Sequence, residues 1–195
     1  MTHAWERDVD AGHLAAVRAR PEEYAPGGLV HLVLEVVAYA ADEAGWCRVT
    51  RHRDGSVSIV DDGRGTDTRV DERGRAVRKP VMGTPDLRFF DHPEAQRLPD
   101  GHPRRGISVV AALSEWLVHT NRRREGAWSQ RYHFGIPAGE LLAVPGDGST
   151  GTTVTFKSAP GPLPQLAALI RAGWPELDVE VVTETGGAGG ARPGR

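Results

Sequence analysis

Three short stretches carry side chains able to do chemistry together. In "GLVHLVLEVVAYAADEAGW", Gly28 to Trp46, His31 and Glu35 stand one helical turn apart. A carboxylate beside an imidazole is an acid–base pair, suited to holding and orienting a water. In "DDGRG", Asp61 to Gly65, two carboxylates sit on a glycine-rich turn. In "GTT", Gly151 to Thr153, a hydroxyl pair opens a late strand. Taken singly, each has a plainer reading: a solvated helix carboxylate, a turn and a strand start.

The elements that must position them follow from periodicity. At helical spacing, Leu29, Val33, Val36, Val37, Ala40 and Ala44 share one face. His31, Glu35, Ala38, Tyr39 and Asp42 fall on the opposite side, which the pattern presents to something polar. Alternation at Cys47-Val49-Arg51 and Val57-Ile59 predicts two strands, with Asp54-Gly55 as a two-residue hairpin turn. Residues 66–105 read as irregular, a lid or binding loop. "ISVVAALSEWLVHT" predicts a helix from Ile107 to about Glu115 that runs into a strand. "GAWSQRYHFGIP" and "GTTVTFKS" predict strands, "LPQLAALIRAGWPEL" a short amphipathic helix, and Val179 to Val182 a last strand. Helices interleaved with an antiparallel-leaning sheet define an α+β chain, a two-layer sandwich with helices on one face. The expected organisation is one domain over residues 1–183 and a disordered glycine-rich tail over 184–195.

Composition narrows the partners. The chain has 195 residues, 39% hydrophobic and 26% charged, with a formal net charge of −2. That balance supplies no general basic field for DNA, and Arg122 to Arg124 read as a solvated turn. The single cysteine, Cys47, excludes an internal disulfide and fits a reducing cytoplasm. No apolar run approaches the ~20 residues that span a bilayer, so no membrane contact is expected. The eight histidines show no metal-ligand spacing, so no metal residues are assigned.

The pieces "GLVHLVLEVVAYAADEA", "DGSVSIVDDGRG", "GISVVAALSEWL", "RREGAWSQRYHFG" and "GTTVTF" come in one order between about Arg20 and Ser158. Together they resemble the ATP-binding domain of the GHKL ATPases, closest to the gyrase B and topoisomerase IV branch. The resemblance implies the Bergerat fold and an ATP site. It implies that Glu35 polarises the attacking water and His31 orients it. It implies that Asp61 accepts the adenine amino group, since a carboxylate only accepts, with Thr152 supporting that contact through water. Gly63 and Gly65 would let the backbone approach the base. Glu43, Arg64 and Arg124 would form an ion-pair cluster at the pocket mouth.

The departures fall at the phosphate end. Where the family places an Mg²⁺-ligating Asn, this chain has Tyr39, preceded by Ala38, and a phenol serves Mg²⁺ poorly. The family's G-L-H-G-V-G loop is here Gly101-His102-Pro103-Arg104-Arg105-Gly106. Such a loop holds phosphate on successive N–H groups. Pro103 removes one donor, while Arg104 and Arg105 offer charge instead. Thr66 and Asp67 replace the family's Ile and Pro, and "GTPDLRFFDH" shows no lid lysine. The resemblance stops where the family's second domain would begin. The expectation is therefore a free-standing adenine-nucleotide-binding domain with weak or lost hydrolysis. Two alternatives stand beside it: a slow ATPase using Arg104 and Arg105 in place of Mg²⁺, and a non-catalytic regulatory module that meets a protein partner or a second copy.

Overall fold

The computed structural model describes residues 9–66, 72–73, 81, 86–90 and 94–184. Asp67, part of the expected lid and the tail from residue 185 lie outside them. In chain order the elements are α1 (Ala11–Ala19), α2 (Pro21–Tyr24), α3 (Leu29–Glu43), β1 (Trp46–Arg51) and β2 (Val57–Asp61). Then come α4 (Leu87–Phe90), α5 (Ile107–Leu113), β3 (Ser114–Arg123), β4 (Gly126–His133) and β5 (Ile136–Ala143). The last three are β6 (Gly151–Ser158), α6 (Leu166–Gly173) and β7 (Asp178–Thr183).

One seven-stranded sheet runs in the order β5-β4-β3-β6-β2-β1-β7. Every pair is antiparallel except β1 with β7. The register lines Val57, Phe156, Leu117 and Tyr132 across four strands, and all four are buried. The next row joins Ile59, Val154 and His119. These rows face α3 and α5, and the core is the layer between. Arg48 and Thr50 of β1 alternate to the opposite side. The α+β two-layer sandwich expected from the sequence is the architecture found. No helix of the described residues is long and apolar enough to cross a membrane.

Several local expectations need correction. The polar side of α3 meets other polar groups away from solvent: His31 and Glu35 are as buried as Leu34 and Val37. A helix buried nearly all round has a cover on both faces, and here residues 96–106 supply the second one through contacts described below. The hairpin turn is longer than Asp54-Gly55. His52 N–H donates to Ser56 O and Gly55 N–H to His52 O, with Gly55 at φ 84°. That is a three-residue turn closed by a left-handed glycine. The helix α5 ends at Leu113 rather than Glu115, and Ser114 opens β3 with its hydroxyl bonded back to Val110 O at 2.6 Å. Strand β5 was not expected. It follows β4 through a Phe134-Gly135 turn with φ 47° and 81°, two left-handed residues that favour a tight hairpin.

Two glycines are required by close approach. A Cβ on Gly151, at φ 122°, would lie 2.1 Å from Asp61 O. One on Gly65, at φ 76°, would lie 2.5 Å from Arg122 O. Both sit where β2 leaves the sheet beside β6 and β3. Gly151→Ala is expected to lower stability by about 3 kcal/mol through combined clash and backbone strain. Urea unfolding of the variant beside the parent measures it, and a loss under about 1 kcal/mol would contradict the close packing.

Candidate functional site

The end of β2 carries Asp61 toward the helices. Its Oδ1 accepts Gly63 N–H at 3.0 Å and Thr152 N–H at 3.1 Å. Its Oδ2 accepts the Thr152 hydroxyl. A carboxylate has about four lone-pair sites, so three are used and one on Oδ2 remains. Asp61, Gly63 and Thr152, which lie 91 residues apart at their extremes, are thus one unit. Asp62 points the other way and receives Gly45 and Trp46 N–H groups. Gly65 packs on β3, and Asn121 clamps the next residue with two 2.8 Å bonds to Thr66 N and O. Asn121 was not singled out from sequence. Its rarity as a residue type inside strands was the available signal.

Beside this unit lies a hollow of about 350 Å³ including its open mouth. Thr152, Val154 and His119 form its sheet side, Tyr39 and Ile107 its helix side, with Thr66 and Val81 adjoining. Thr152 ties it to Asp61, and Ile107 ties it to the loop ending at Gly106.

That loop is held by α3. Arg105 N–H donates to Glu35 Oε1 at 2.5 Å and Gly106 N–H to Glu35 Oε2 at 2.7 Å. Glu35, wholly buried, therefore sits on two consecutive amides at the start of α5. The Ile107 N–H in turn faces the Tyr39 hydroxyl. Burial pushes the Tyr39 phenol up to about 12, with Asp86 adding to the rise and Arg104 opposing it. Tyr39 is therefore neutral throughout the physiological range.

His31 Nδ1 meets Asp100 Oδ2 at 2.7 Å, and its Nε2 lies 3.3 Å from Glu35 Oε1. The second contact is close enough for charge pairing but not aligned as a hydrogen bond, which leaves Nε2 without one. Burial works against the imidazolium, yet Asp100 and Glu35 outweigh it and raise His31 to about 9. Burial likewise pushes the Asp100 carboxyl up, but its bonds from His31 and His102 hold it below its ordinary range. Asp100, 69 residues from His31, was missed because "LPDGHP" reads as a turn. It is one as well, since Asp100 Oδ1 accepts His102 N–H at 3.0 Å.

Arg104 is almost fully buried. Its guanidinium forks onto Asp42 at 3.0 and 2.8 Å, adds Gln96 Oε1 at 2.9 Å, and lies over the Phe89 and Tyr39 rings. Arg105 turns to Phe89 O at 3.2 Å and lies over Phe90. Glu43 and Arg64 pair on the surface at 2.5 and 2.8 Å, and Arg124 is exposed on the β3–β4 turn. Among the described residues, no group of three or more His, Cys, Asp or Glu stands together as a metal site.

Fold and site together define a GHKL ATPase-like domain. The chain is related to gyrase B and topoisomerase IV B. It is 40% identical over 157 residues to the DNA gyrase B protein of Archaeoglobus fulgidus, covering 74% of this chain and 25% of that protein. Against the DNA gyrase B protein of Thermotoga maritima the identity is 36% over 157 residues, 75% of this chain and 25% of that one. The DNA topoisomerase 4 B protein of Staphylococcus epidermidis is 36% identical over 154 residues, 74% of this chain and 23% of that one. The chain thus spans about a quarter of the length of these relatives. No family model matches it.

The charged His31 gives a pH dependence of known sign. Its folded value is above its unfolded one, so its contribution is complete below about 6.5 and is lost as pH rises through about 9. Unfolding free energy is expected to fall by on the order of 2–3 kcal/mol across that window. In His31→Gln the same window should be flat, as read by chemical denaturation at stepped pH. Asp42→Ala leaves a buried guanidinium without its counter-ion and should cost on the order of 3 kcal/mol, with Asp42→Asn milder.

Proposed function

We propose that the chain is an adenine-nucleotide-binding domain whose hydrolysis is weak or lost. The observation that carries it is the single unused lone pair on Asp61 Oδ2, set beside a largely apolar hollow through Thr152. An acceptor of this kind takes an exocyclic amine and repels a carbonyl oxygen, which favours adenine over guanine. The apolar walls at Val154 and Ile107 suit the faces of a purine.

The weak hydrolysis rests on the other end. A general base must be free to hold and deprotonate its water, and Glu35, wholly buried, is already engaged by the Arg105 and Gly106 amides with His31 alongside. The groups there do not fit Mg²⁺, which needs near-octahedral oxygen ligands. Tyr39 is a neutral phenol, Asp42 is on Arg104, and Glu35 is on α5. The alternative in which Arg104 replaces the metal is disfavoured by its bidentate hold on Asp42. The regulatory reading gains support from Tyr39 lining the hollow.

Calorimetric titration with ATP and GTP tests the base preference. ATP is expected to bind roughly tenfold tighter than GTP or better, and Asp61→Asn to remove that preference. Phosphate release should stay at background with or without Mg²⁺. Turnover that needs Mg²⁺ and vanishes in Glu35→Ala would overturn the loss of hydrolysis.

A further inference from the structure

The loop from Gly101 to Ile107 is saturated by the protein itself. Gly101 N–H donates to Leu98 O, His102 N–H to Asp100 Oδ1 and Arg104 N–H to Gln96 O. Pro103 has no N–H to give. Arg105 and Gly106 donate to Glu35, and Ile107 faces Tyr39. Every backbone donor from Gly101 to Gly106 is therefore matched with an acceptor on this chain. A phosphate chain reaching the start of α5 would find the amides of a helix N-terminus already holding a buried carboxylate.

The carboxylates of this end are committed as well. Among the described residues packed around this end, the acids are Glu35, Asp42, Asp86 and Asp100. The cations are His31, Arg88, Arg97, Arg104 and Arg105. Arg88 pairs Asp86 at 2.9 Å, Arg104 pairs Asp42, and His31 pairs Asp100 and Glu35. All four acids are therefore already taken by cations of this chain, while Arg105 turns to Phe89 O and Arg97 to Gly101 O.

We infer that the hollow takes adenine or an adenine nucleoside through the base alone, and that phosphates add no affinity. This rests on the adenine reading of Asp61 given above and names the ligand class of that site. Asp61, Thr152 and the apolar walls do the recognising, while Glu35 is a positioning residue that pins α5 to α3. The base and sugar are neutral and need no counter-charge from the site. Binding such a ligand exposes no buried ion pair and displaces no carboxylate.

The test is a titration series on the full chain: adenine, adenosine, AMP, ADP and ATP, each with and without Mg²⁺. The expected result is dissociation constants within about threefold from adenosine to ATP, unmoved by Mg²⁺. ATP binding more than about threefold tighter than adenosine would overturn the inference while leaving adenine recognition standing. If no member binds at millimolar concentration, adenine recognition itself fails and the inference with it. Glu35→Ala adds a readout of opposite sign, because it uncovers two amides. Its ATP-to-adenosine affinity ratio should rise roughly fivefold or more over the parent's, whereas loss of a mere catalytic base would leave that ratio unchanged. Should that variant not fold, the parent series decides alone.

Discussion

The structure depends on one buried carboxylate. Glu35 receives the N–H groups of Arg105 and Gly106, and this fixes where α5 begins relative to α3. Without a partner, those two amides would be costly to bury, and the start of a helix carries partial positive charge that favours an anion. His31 supplies the counter-charge from the same helix face, and Asp100 anchors His31 from the loop. The chain Asp100–His31–Glu35–α5 thus closes residues 96–106 over α3. This closure is the reason a helix carrying Glu35 and His31 is buried there on nearly every side.

The same closure separates the two ends of the site. At the sheet end, Asp61 and Thr152 are held by short local geometry: a turn, a strand start and a glycine allowing contact at Gly151. Nothing there depends on the α5 loop. At the helix end, the Tyr39 and Phe89 faces shield the Arg104 guanidinium, whose carboxylate partner, Asp42, reaches solvent. A motif of this kind can diverge at one end without disturbing the other.

Much of this was legible in the sequence, and the limits have physical causes. The positions of Glu35, His31, Asp61 and Thr152 follow from motif order, and the sheet from alternation of β-branched residues. The union of Asp61 with Thr152 was readable because each lies at a defined place in its own motif. What could not be read were partners chosen by folding across long separations. Arg104 looked free for phosphate because nothing local revealed that Asp42, 62 residues away, would claim it. Asp100 looked like a turn residue because it is one. What covers the polar stripe on α3 was not readable because periodicity reports polarity, not which loop folds over it. Strand β5 escaped because Pro137 and Gly139 interrupt its run, and those residues argue against a strand unless it lies at an edge.

That edge position has its own consequence. Strand β5 ends the sheet with Ile136 at 51% and Leu142 at 63% exposure, a surface attractive to another strand. Pro137 lacks a donor, Gly139 turns the backbone to φ 75°, and the register slips opposite Ser129 to Arg131. A neighbouring chain aligned there meets a broken ladder, so the apolar margin is guarded by irregular backbone together with the exposed Glu140.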